Sequence, residues 1–366
     1  MRLLLFSDLH LDTPFRWASP ALARVRRESL RGTLRRIVEL ADELEADALC
    51  CAGDLYEHER FASDTGEFLR ATFADAGRPV LLAPGNHDWY STAALYRQVG
   101  WSSNVVVFTE DRLSPHRLAD GFTVWGAAHR APANTDNFLD GFSAHGPGVH
   151  VALFHGSERS GLAAQGEGKR PHAPFVAAQV PAARLAHALV GHYHTPTDAP
   201  WHTYPGNPEP LTFGETGERG AVLVEVDGDG TVRRTRHTVA GTTVRDVTVE
   251  LTGARTTTEV ADRVTEALVG LTGVVRATLT GEVAPDIDVR LADVAGAAPQ
   301  LAGLVLRTEN IRVAYDLEAI GEEATVRGQF VRDVLADRGL DEDARRRVVV
   351  TGLRALDGRA DELEVA

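Results

Sequence analysis

The chain has few of the residues that mark secreted, disulfide-rich or membrane-spanning proteins. Its 366 residues include two cysteines, Cys50 and Cys51, which are adjacent within an apolar run and are predicted to be buried, unreactive thiols. This cysteine content fits a reducing compartment, so we expect a cytoplasmic protein. The absence of any run of 18 or more uncharged apolar residues predicts that no segment spans a membrane. Because Met1 and Arg2 lead straight into an apolar run, we expect no signal peptide.

Lysine and net positive charge are also scarce. Lys169 is the single lysine among 38 basic residues, and Arg170 follows it. A Walker A motif requires Lys followed by Ser or Thr after a glycine-rich loop, so the sequence contains no ATP site of this kind. Any ATP-driven action would therefore need a partner. The net charge of −14 argues against nucleic-acid binding by the whole surface.

Five short polar blocks recur along the sequence, and each follows a short apolar run. Apart from His87 and Asp88, their Asp, Asn and His side chains are predicted to supply the oxygen and imidazole ligands that hold divalent transition metals. A lone Asp or His after a strand is usually a turn former or a satisfied polar group, whereas five blocks in this order predict a metal site. The blocks are Asp8-Leu9-His10, Gly53-Asp54, Gly85-Asn86-His87-Asp88, His155-Gly156 and Gly191-His192-Tyr193-His194.

The apolar runs predict where these blocks lie in space. Short, nearly continuous apolar runs are typical of strands buried on both faces, in a sheet sandwiched between helices. In such sheets ligands bind beyond the carboxyl ends of the strands. We expect Asp8 and His10, and likewise His192 and His194, to project the same way, because residues two apart in extended backbone do so. The runs are residues 3–6, 48–51, 80–82, 149–154 and 188–190.

The blocks and their order are similar to those of a known family. The sequence resembles the calcineurin-like metallophosphoesterases and, within them, the SbcD-type DNA repair exonucleases, including the shorter YhaO-like branch. The resemblance covers roughly the first two-thirds of the chain. It implies an α/β fold, a four-layer metallophosphoesterase-type sandwich of mixed sheets flanked by helices, with a small α/β capping domain. The residues that carry it are Ser7 to Asp12, Gly53 to Tyr56, Gly85 to Asp88, His155-Gly156, Gly191 to His194 and Tyr204 to Asn207.

The resemblance implies a site for two divalent metal ions that share one carboxylate. Asp54 would bridge the ions, an arrangement in which the pair activates a hydroxide and stabilises both the attacking and the leaving oxygen of phosphoryl transfer. Mn²⁺ is predicted from the resemblance, while the mixed oxygen and nitrogen ligands also allow Fe or Zn. The implied ligands are Asp8, His10, Asp54 and His194 for one ion, and Asp54, Asn86, His155 and His192 for the other.

Two further residues are implied to take part in the chemistry. His87 would stabilise the transition state or protonate the leaving oxygen, and Asp88 would orient it. The alternative is that His87 is a structural histidine beside the site. The remaining histidines have no motif partner and are predicted to be ordinary surface or core residues: His58, His116, His129, His145, His150, His172, His187, His202 and His237.

A basic stripe is predicted on the first helix. Between Pro20 and Glu45 the apolar residues recur at helical spacing on one side, and four arginines fall on the opposite side. Because this helix follows the strand that leads to Asp8, the stripe could follow DNA phosphates beside the site. The alternative is a solvated helix face. The four arginines are Arg24, Arg27, Arg31 and Arg35.

The composition and the predicted secondary structure of the sequence change after residue 240. We expect a metallophosphoesterase (nuclease) domain over residues 1–240 and a capping domain over residues 241–315. The capping domain is predicted to contain a strand at 247–251, a helix at 257–271, a strand at 274–279, a second helix and a strand ending at 313. Residues 316–366 are acidic and helix-prone. Their apolar residues are predicted either to dock on the cap or to bind a second protein.

These features predict a cytoplasmic metal-dependent phosphodiesterase, a DNA exonuclease that acts on DNA ends in repair. The predicted partners are DNA, an SbcC-like coiled-coil ATPase, which the resemblance favours, and a second copy of the chain. The alternative is a phosphodiesterase or phosphatase for small nucleotides or phosphoesters. A third class, a non-enzymatic subunit that binds DNA ends, is disfavoured because a scaffold would not need Asn86 and His87.

Overall fold

The computed structural model describes residues 1–161, 171–285, 287 and 298–358. The chain divides into two compact units, Met1–Arg245 and Asp246–Ala366. The finer division expected at residue 315 stays a prediction. In the part of the chain just given, no helix is both long enough and apolar enough to cross a membrane.

The first unit contains two six-stranded sheets, with strands numbered along the chain. The first sheet has the order β12-β11-β1-β2-β3-β4, in which β1 to β4 run parallel and β11 and β12 add antiparallel strands at one edge. Its strands are β1 (Arg2–Phe6), β2 (Ala48–Cys51), β3 (Val80–Leu82), β4 (Val105–Val107), β11 (Gly220–Val226) and β12 (Val232–Thr238).

The second sheet has the order β5-β6-β7-β8-β10-β9. Strands β6, β7, β8 and β10 are parallel, and the edge strands β5 and β9 are antiparallel to their neighbours. The strands are β5 (Ser114–Ala119), β6 (Phe122–Gly126), β7 (Val149–His155), β8 (His187–Gly191), β9 (Thr197–Asp198) and β10 (His202–Tyr204).

Helix α1 (Pro20–Glu43) starts where the sequence predicts. Pro20 occupies its first turn, and the Ser19 hydroxyl caps it by accepting a hydrogen bond from the Leu22 amide at 3.3 Å. Leu30 lies on its buried face, packed in the core against the first sheet. Within the described residues of this unit, the other helices are α2 (Thr65–Asp75), α3 (Leu95–Gln98) and α4 (Gln179–Ala182).

Alternation along the strands builds the layers. In β1, Leu3 and Leu5 point into the core between the two sheets, whereas Leu4 and Phe6 point into the core beneath α1 and α2. The outer face of the second sheet is covered by α4 and by loops that carry residues such as Phe175. This order of helices, sheet, sheet and outer cover confirms the predicted mixed α/β sandwich. Both cysteines of β2 are free and buried, as predicted.

The second unit has a three-stranded sheet in the order β13-β14-β15, in which β14 and β15 are parallel. The helix predicted to end at 271 ends three residues earlier. The second helix was predicted between residues 279 and 304, a region that includes residues 288–297, which lie outside the described residues. Three helices follow the sheet, and a small core that includes Val331 and Leu353 packs them together. The elements in the described part of this unit are β13 (Val244–Glu250), α5 (Thr257–Leu268), β14 (Gly273–Val283), β15 (Leu301–Val313), α6 (Leu317–Glu322), α7 (Val326–Ala336) and α8 (Glu342–Leu356).

Candidate metal centre

The carboxyl ends of the central strands in both sheets bring the five polar blocks together. Asp8, Asp54 and Asn86 follow β1, β2 and β3 of the first sheet. His155 ends β7 and His192 directly follows β8 in the second sheet. Parallel strands place these ends at one edge, so residues far apart in sequence become neighbours.

The backbone at several of these residues is left-handed rather than extended. Asp8, His10, Asp54 and His192 have φ values of 55°, 50°, 52° and 108°. We expected extended backbone at the pairs Asp8 and His10, and His192 and His194. This expectation was wrong, because the chain turns sharply at these positions. Such conformations cost roughly 1–3 kcal/mol each in non-glycine residues and cluster at functional sites. Backbone hydrogen bonds support the turn, including that from the Asp8 amide to the Gly53 carbonyl at 3.0 Å.

One group of side chains consists of Asp8, His10 and His194. Each offers one ligand atom, and these atoms lie within 4.8 Å of one another. His194 Nε2 lies 4.0 Å from Asp8 Oδ1. Asp8 is fully buried, so its carboxylate is presented from a fixed position. The group combines one carboxylate with two imidazoles, a donor set that suits a divalent transition metal.

A second group consists of Asp54, His155 and His192, whose ligand atoms also lie within 4.8 Å of one another. Asn86 joins it, since its Oδ1 lies 3.0 Å from His155 Nε2. Asp54 Oδ2 lies 3.2 Å from His155 Nε2 and 3.6 Å from His10 Nε2. The Asp54 carboxylate therefore borders both groups.

Two carboxylates orient histidines of the first group. Glu57 Oε1 lies 2.7 Å from His10 Nδ1, and Glu215 Oε1 lies 2.7 Å from His194 Nδ1. A carboxylate that accepts the Nδ1 proton fixes the tautomer and leaves Nε2 as a free lone pair, the usual arrangement for histidines that bind metals. This arrangement leaves each Nε2 available to a metal.

The same pattern occurs in the second group, with a backbone oxygen as the acceptor. His155 Nδ1 lies 2.9 Å from the Ala52 carbonyl oxygen, and its Nε2 faces Asp54 and Asn86. In the first group, His10 Nε2 is buried and has no hydrogen-bond partner among the described residues. A buried polar atom without a partner is costly unless something absent from the protein chain satisfies it. The residues therefore fit a pair of divalent cations.

In the metal-free site, Asp54 is ionised and His192 is neutral, whereas His155 is protonated. Burial lowers the pKa of His155, but the charge and hydrogen bond of Asp54 raise it to about 9, so a bound metal would displace this proton. Burial raises the pKa of Asp54, but the charge and hydrogen bond of His155 outweigh it and hold the pKa well below its usual range. Burial and the charge on His155 lower the pKa of His192 to about 2, so this imidazole is neutral. Burial alone would also raise the pKa of Glu57, yet its hydrogen bonds to two histidines lower it to about 2.

His87 lies at the open side of the site, with its side chain 47% exposed. Its backbone amide donates to Asp54 Oδ1 at 2.8 Å, and its Nδ1 lies 3.2 Å from Glu57 Oε2. Burial lowers the pKa of His87, but the hydrogen bond to Glu57 and the charge on Asp54 raise it to about 9. The expectation that Asp88 orients this ring was wrong, because Glu57 occupies that position.

Asp88 instead organises the backbone beneath the site. Its buried carboxylate accepts hydrogen bonds from the amides of Gly85, Asp54 and Leu55 at 2.6, 3.1 and 2.7 Å, and from the Tyr96 hydroxyl at 2.5 Å. These bonds occupy both of its oxygens. Asp88 therefore holds the loops after β2 and β3 together.

Gly85, which precedes Asn86, allows the loop after β3 to approach Asp54 closely. A Cβ atom added to Gly85 would overlap Asp54 Oδ1. Only glycine at this position lets the loop after β3 pass directly beside the Asp54 carboxylate.

Sequence reasoning missed four side chains that shape the site. Glu57 and Glu215 carry no recognised pattern, although Glu57 follows Asp54 by three residues. His129 and His172 were expected to be ordinary histidines. His129 is buried with its Nε2 2.8 Å from the His155 carbonyl oxygen, and His172 lines the same cavity as the predicted ligands. Only the fold brings these residues to the site.

The cavity at the site has a volume of about 670 Å³. Its walls include ligand residues of both groups and the loop from Thr13 to Trp17, which follows the first block. The four arginines of the predicted basic stripe are not among its lining residues. Arg31 forms a two-bond ion pair with Asp64, at 2.7 and 2.9 Å, and Arg35 lies 3.5 Å from Glu28.

Residues 1–196 match the family described as Calcineurin-like phosphoesterase. The chain belongs to this family. The phosphoesterase is 28% identical over 244 residues to the metallophosphoesterase YhaO of Bacillus subtilis strain 168, an alignment that covers 61% of this chain and 57% of YhaO. It is 26% identical over 274 residues to the DNA double-strand break repair protein Mre11 of Methanopyrus kandleri, covering 63% of this chain and 55% of Mre11.

The phosphoesterase thus spans a little over half the length of these two relatives. The family predicted from the sequence, and its placement with SbcD-like and YhaO-like proteins, are confirmed. Among solved structures, TT1561 of Thermus thermophilus aligns with a TM-score of 0.36 at 15% identity, over 64% of this chain and 98% of that one.

Proposed function

We propose that this phosphoesterase is a two-metal phosphodiesterase that removes nucleotides from DNA ends in repair. The observation that carries the proposal is the fixed orientation of His10, His155 and His194. Each has its Nδ1 held by an oxygen of the protein, and each presents Nε2 to the carboxylates of Asp8 or Asp54. The similarity to Mre11, whose name refers to repair of DNA double-strand breaks, supports the choice of DNA.

Asp8, His10 and His194 would hold one ion, and His155, His192 and Asn86 the other, with Asp54 shared between them. When bound, such a pair supplies Lewis-acid stabilisation of the oxygens around phosphorus and lowers the pKa of water. Mn²⁺ is the proposed metal, with Fe or Zn as alternatives that this donor set also allows.

His87 is the proposed proton donor. Glu57 holds its Nδ1, so its Nε2 proton is free to pass to the leaving oxygen. The hydrogen bond to Glu57 favours the protonated ring, and a cation at this position would also offset charge that develops on phosphorus. Nearly half of its side chain is exposed, so the donor faces the space in which a substrate would bind.

A second candidate is a phosphodiesterase for small nucleotides. The cavity of about 670 Å³ lies within the range of roughly 300–1,000 Å³ that is usual for small-molecule sites. A substrate of one or two nucleotides would fill such a cavity without needing contacts elsewhere on the protein.

The proposed partners follow from the same similarity. We propose that an SbcC-like coiled-coil ATPase supplies ATP-driven opening of DNA ends, since Lys169-Arg170 rules out a Walker A motif here. The surface of α7 and α8 carries exposed apolar residues, including Leu335 and Val348, that such a partner would cover. Pairing of two copies of the chain is the other proposed assembly.

A direct test compares three substrates in Mn²⁺ buffer: linear duplex DNA, covalently closed duplex DNA and bis(p-nitrophenyl) phosphate. We expect degradation of the linear duplex from its ends, no loss of the closed duplex and hydrolysis of the small diester. A variant in which His192 and His194 are both Ala should be inactive on every substrate. Hydrolysis of the small diester without degradation of linear DNA would favour the small-nucleotide candidate, and inactivity on all three would contradict both candidates.

A further inference from the structure

We infer that Trp17 forms a nucleobase subsite in the cavity beside the metal centre, and that it makes the site selective for phosphodiesters that carry a nucleoside. The inference rests on the proposed phosphodiesterase function and specifies which part of the substrate the cavity recognises.

The loop that carries Trp17 is placed by the first metal-binding block. It leaves the left-handed turn at His10 and ends at the cap of α1, and its residues Thr13 to Trp17 line the same cavity as His10 and His194. Most of the side chains around the metal centre are His, Asp, Asn or Glu. Trp17 adds a large aromatic surface to one wall of this polar cavity.

Contacts at its edges hold the Trp17 ring in place. Its indole N–H donates to the Leu211 carbonyl at 3.0 Å, so the polar atom of the ring is satisfied within the protein. The Phe213 ring centroid lies 4.8 Å away at an interplanar angle of 62°, and the Phe15 centroid lies 5.7 Å away at 83°. Trp17 is half-buried, so part of its surface remains open to the cavity.

A buried ion pair anchors this aromatic wall from beneath. The Arg26 guanidinium lies 5.6 Å from the Phe15 ring centroid, donates to Glu209 Oε1 at 2.8 Å and donates to the Pro210 carbonyl at 2.7 Å. Arg26 and Glu209 are both almost completely buried. These contacts join the Trp17 loop to the segment that carries Leu211. The wall is therefore preorganised, which reduces the entropy lost when a ligand binds.

The chemistry of this wall matches a nucleoside phosphate. Stacking on an aromatic side chain tolerates any base, because every base has a π-face. The neighbouring Arg16 is exposed, lines the cavity and has no acidic partner within the described residues, so it offers a cation to a phosphate next to the stacked base. The cavity therefore combines an aromatic face, an exposed guanidinium and the candidate metal centre, which suit the base, the neighbouring phosphate and the reacting phosphodiester of a nucleotide substrate.

The test uses two esters with the same leaving group. Thymidine 5′-(p-nitrophenyl phosphate) carries a nucleoside, and methyl p-nitrophenyl phosphate carries a methyl group in its place. We expect wild-type protein to have the higher kcat/KM for the thymidine ester. Trp17→Ala should reduce that preference by about 10-fold to 100-fold, mainly through KM, and Trp17→Phe should retain most of it. The matched control is Trp201→Ala. Trp201 is 41% exposed, directly precedes β10 and does not line the cavity.

Several results would overturn the inference. They are a wild-type protein without preference for the thymidine ester, a Trp17→Ala variant that keeps the preference, and an equal loss on both esters, which would make Trp17 a purely structural residue. If wild-type protein hydrolyses neither ester, the phosphodiesterase proposal fails. In that case, the affinity for thymidine 5′-monophosphate, measured by calorimetry in Mn²⁺, tests the nucleobase subsite. Binding that is about 10-fold weaker in Trp17→Ala than in wild-type protein supports the subsite. Equal affinity, or no binding to either protein, contradicts it.

Discussion

Glu57 Oε1 lies 2.7 Å from His10 Nδ1, although the two residues follow different strands of the first sheet. The other oxygen of the same carboxylate lies 3.2 Å from His87 Nδ1. One side chain therefore orients both a proposed metal ligand and the proposed proton donor. This relationship makes Glu57 a positioning residue for both histidines.

Replacing Glu57 with Gln should weaken metal binding and slow the reaction while preserving the fold. The amide keeps the shape of the side chain but removes the charge that holds the Nδ1 protons of His10 and His87. Loss of such a supporting group typically costs about 10-fold to 100-fold in metal affinity or activity. Metal titration and steady-state kinetics on a small diester would measure both effects. Glu59→Gln removes the same charge from an exposed neighbour and serves as the control.

Replacing His87 with Ala should separate catalysis from metal binding. Since His87 is proposed to donate a proton, His87→Ala should retain both metals and substrate affinity but lose about 10²-fold to 10⁴-fold in rate. Single-turnover kinetics and elemental analysis of the same samples would show this. His116→Ala, which removes a histidine from β5, should change neither quantity. Loss of a metal from His87→Ala would instead identify His87 as a ligand.

The role found for Asp88 predicts a loss of stability. Asp88→Asn replaces one oxygen with an N–H group that faces backbone N–H donors, which should lower the free energy of unfolding by about 1–3 kcal/mol. Tyr96→Phe removes a single donor to the same carboxylate and should cost about 1 kcal/mol. Urea denaturation of metal-free protein would measure both without a contribution from bound metal. Unchanged stability in Asp88→Asn would contradict the structural role.

These cases show what the sequence could predict and what it could not. Strand ends were predictable because apolar runs end abruptly in polar blocks, so the positions of Asp54 and Asn86 after β2 and β3 agree with the structure. The roles of Glu57 and Glu215 could not be predicted, because each residue contacts a histidine that the fold brings from another segment. Asp88 was misassigned because adjacency to His87 in sequence does not place the two side chains in contact.

Among the residues that the structure describes, two of the four arginines of the basic stripe on α1 lie near carboxylates and two do not, which gives a prediction about DNA binding. Arg31 is paired with Asp64 and Arg35 lies near Glu28, whereas Arg24 and Arg27 have no partner in the described part of the chain. If the stripe contacts DNA, replacing Arg24 and Arg27 with Gln should reduce the slope of log K against log salt by about 2, at roughly 0.9 per phosphate contact. Arg31→Gln should change it little. Salt titrations of DNA binding would show whether Arg24 and Arg27 contact DNA. An unchanged slope in the double variant would mean that the stripe is a solvated helix face.

His192 and His194 lie two residues apart, yet one joins Asp54 and His155 and the other joins Asp8 and His10. The number of metals bound by each single variant is therefore the most direct measurement of the two-metal proposal. Mass spectrometric metal analysis after loading with Mn²⁺ should find two ions per wild-type chain and one in each of His192→Ala and His194→Ala. The double variant should hold none, and His116→Ala should hold two. A wild-type chain that binds one ion or none, or single variants that both keep two, would contradict the proposal.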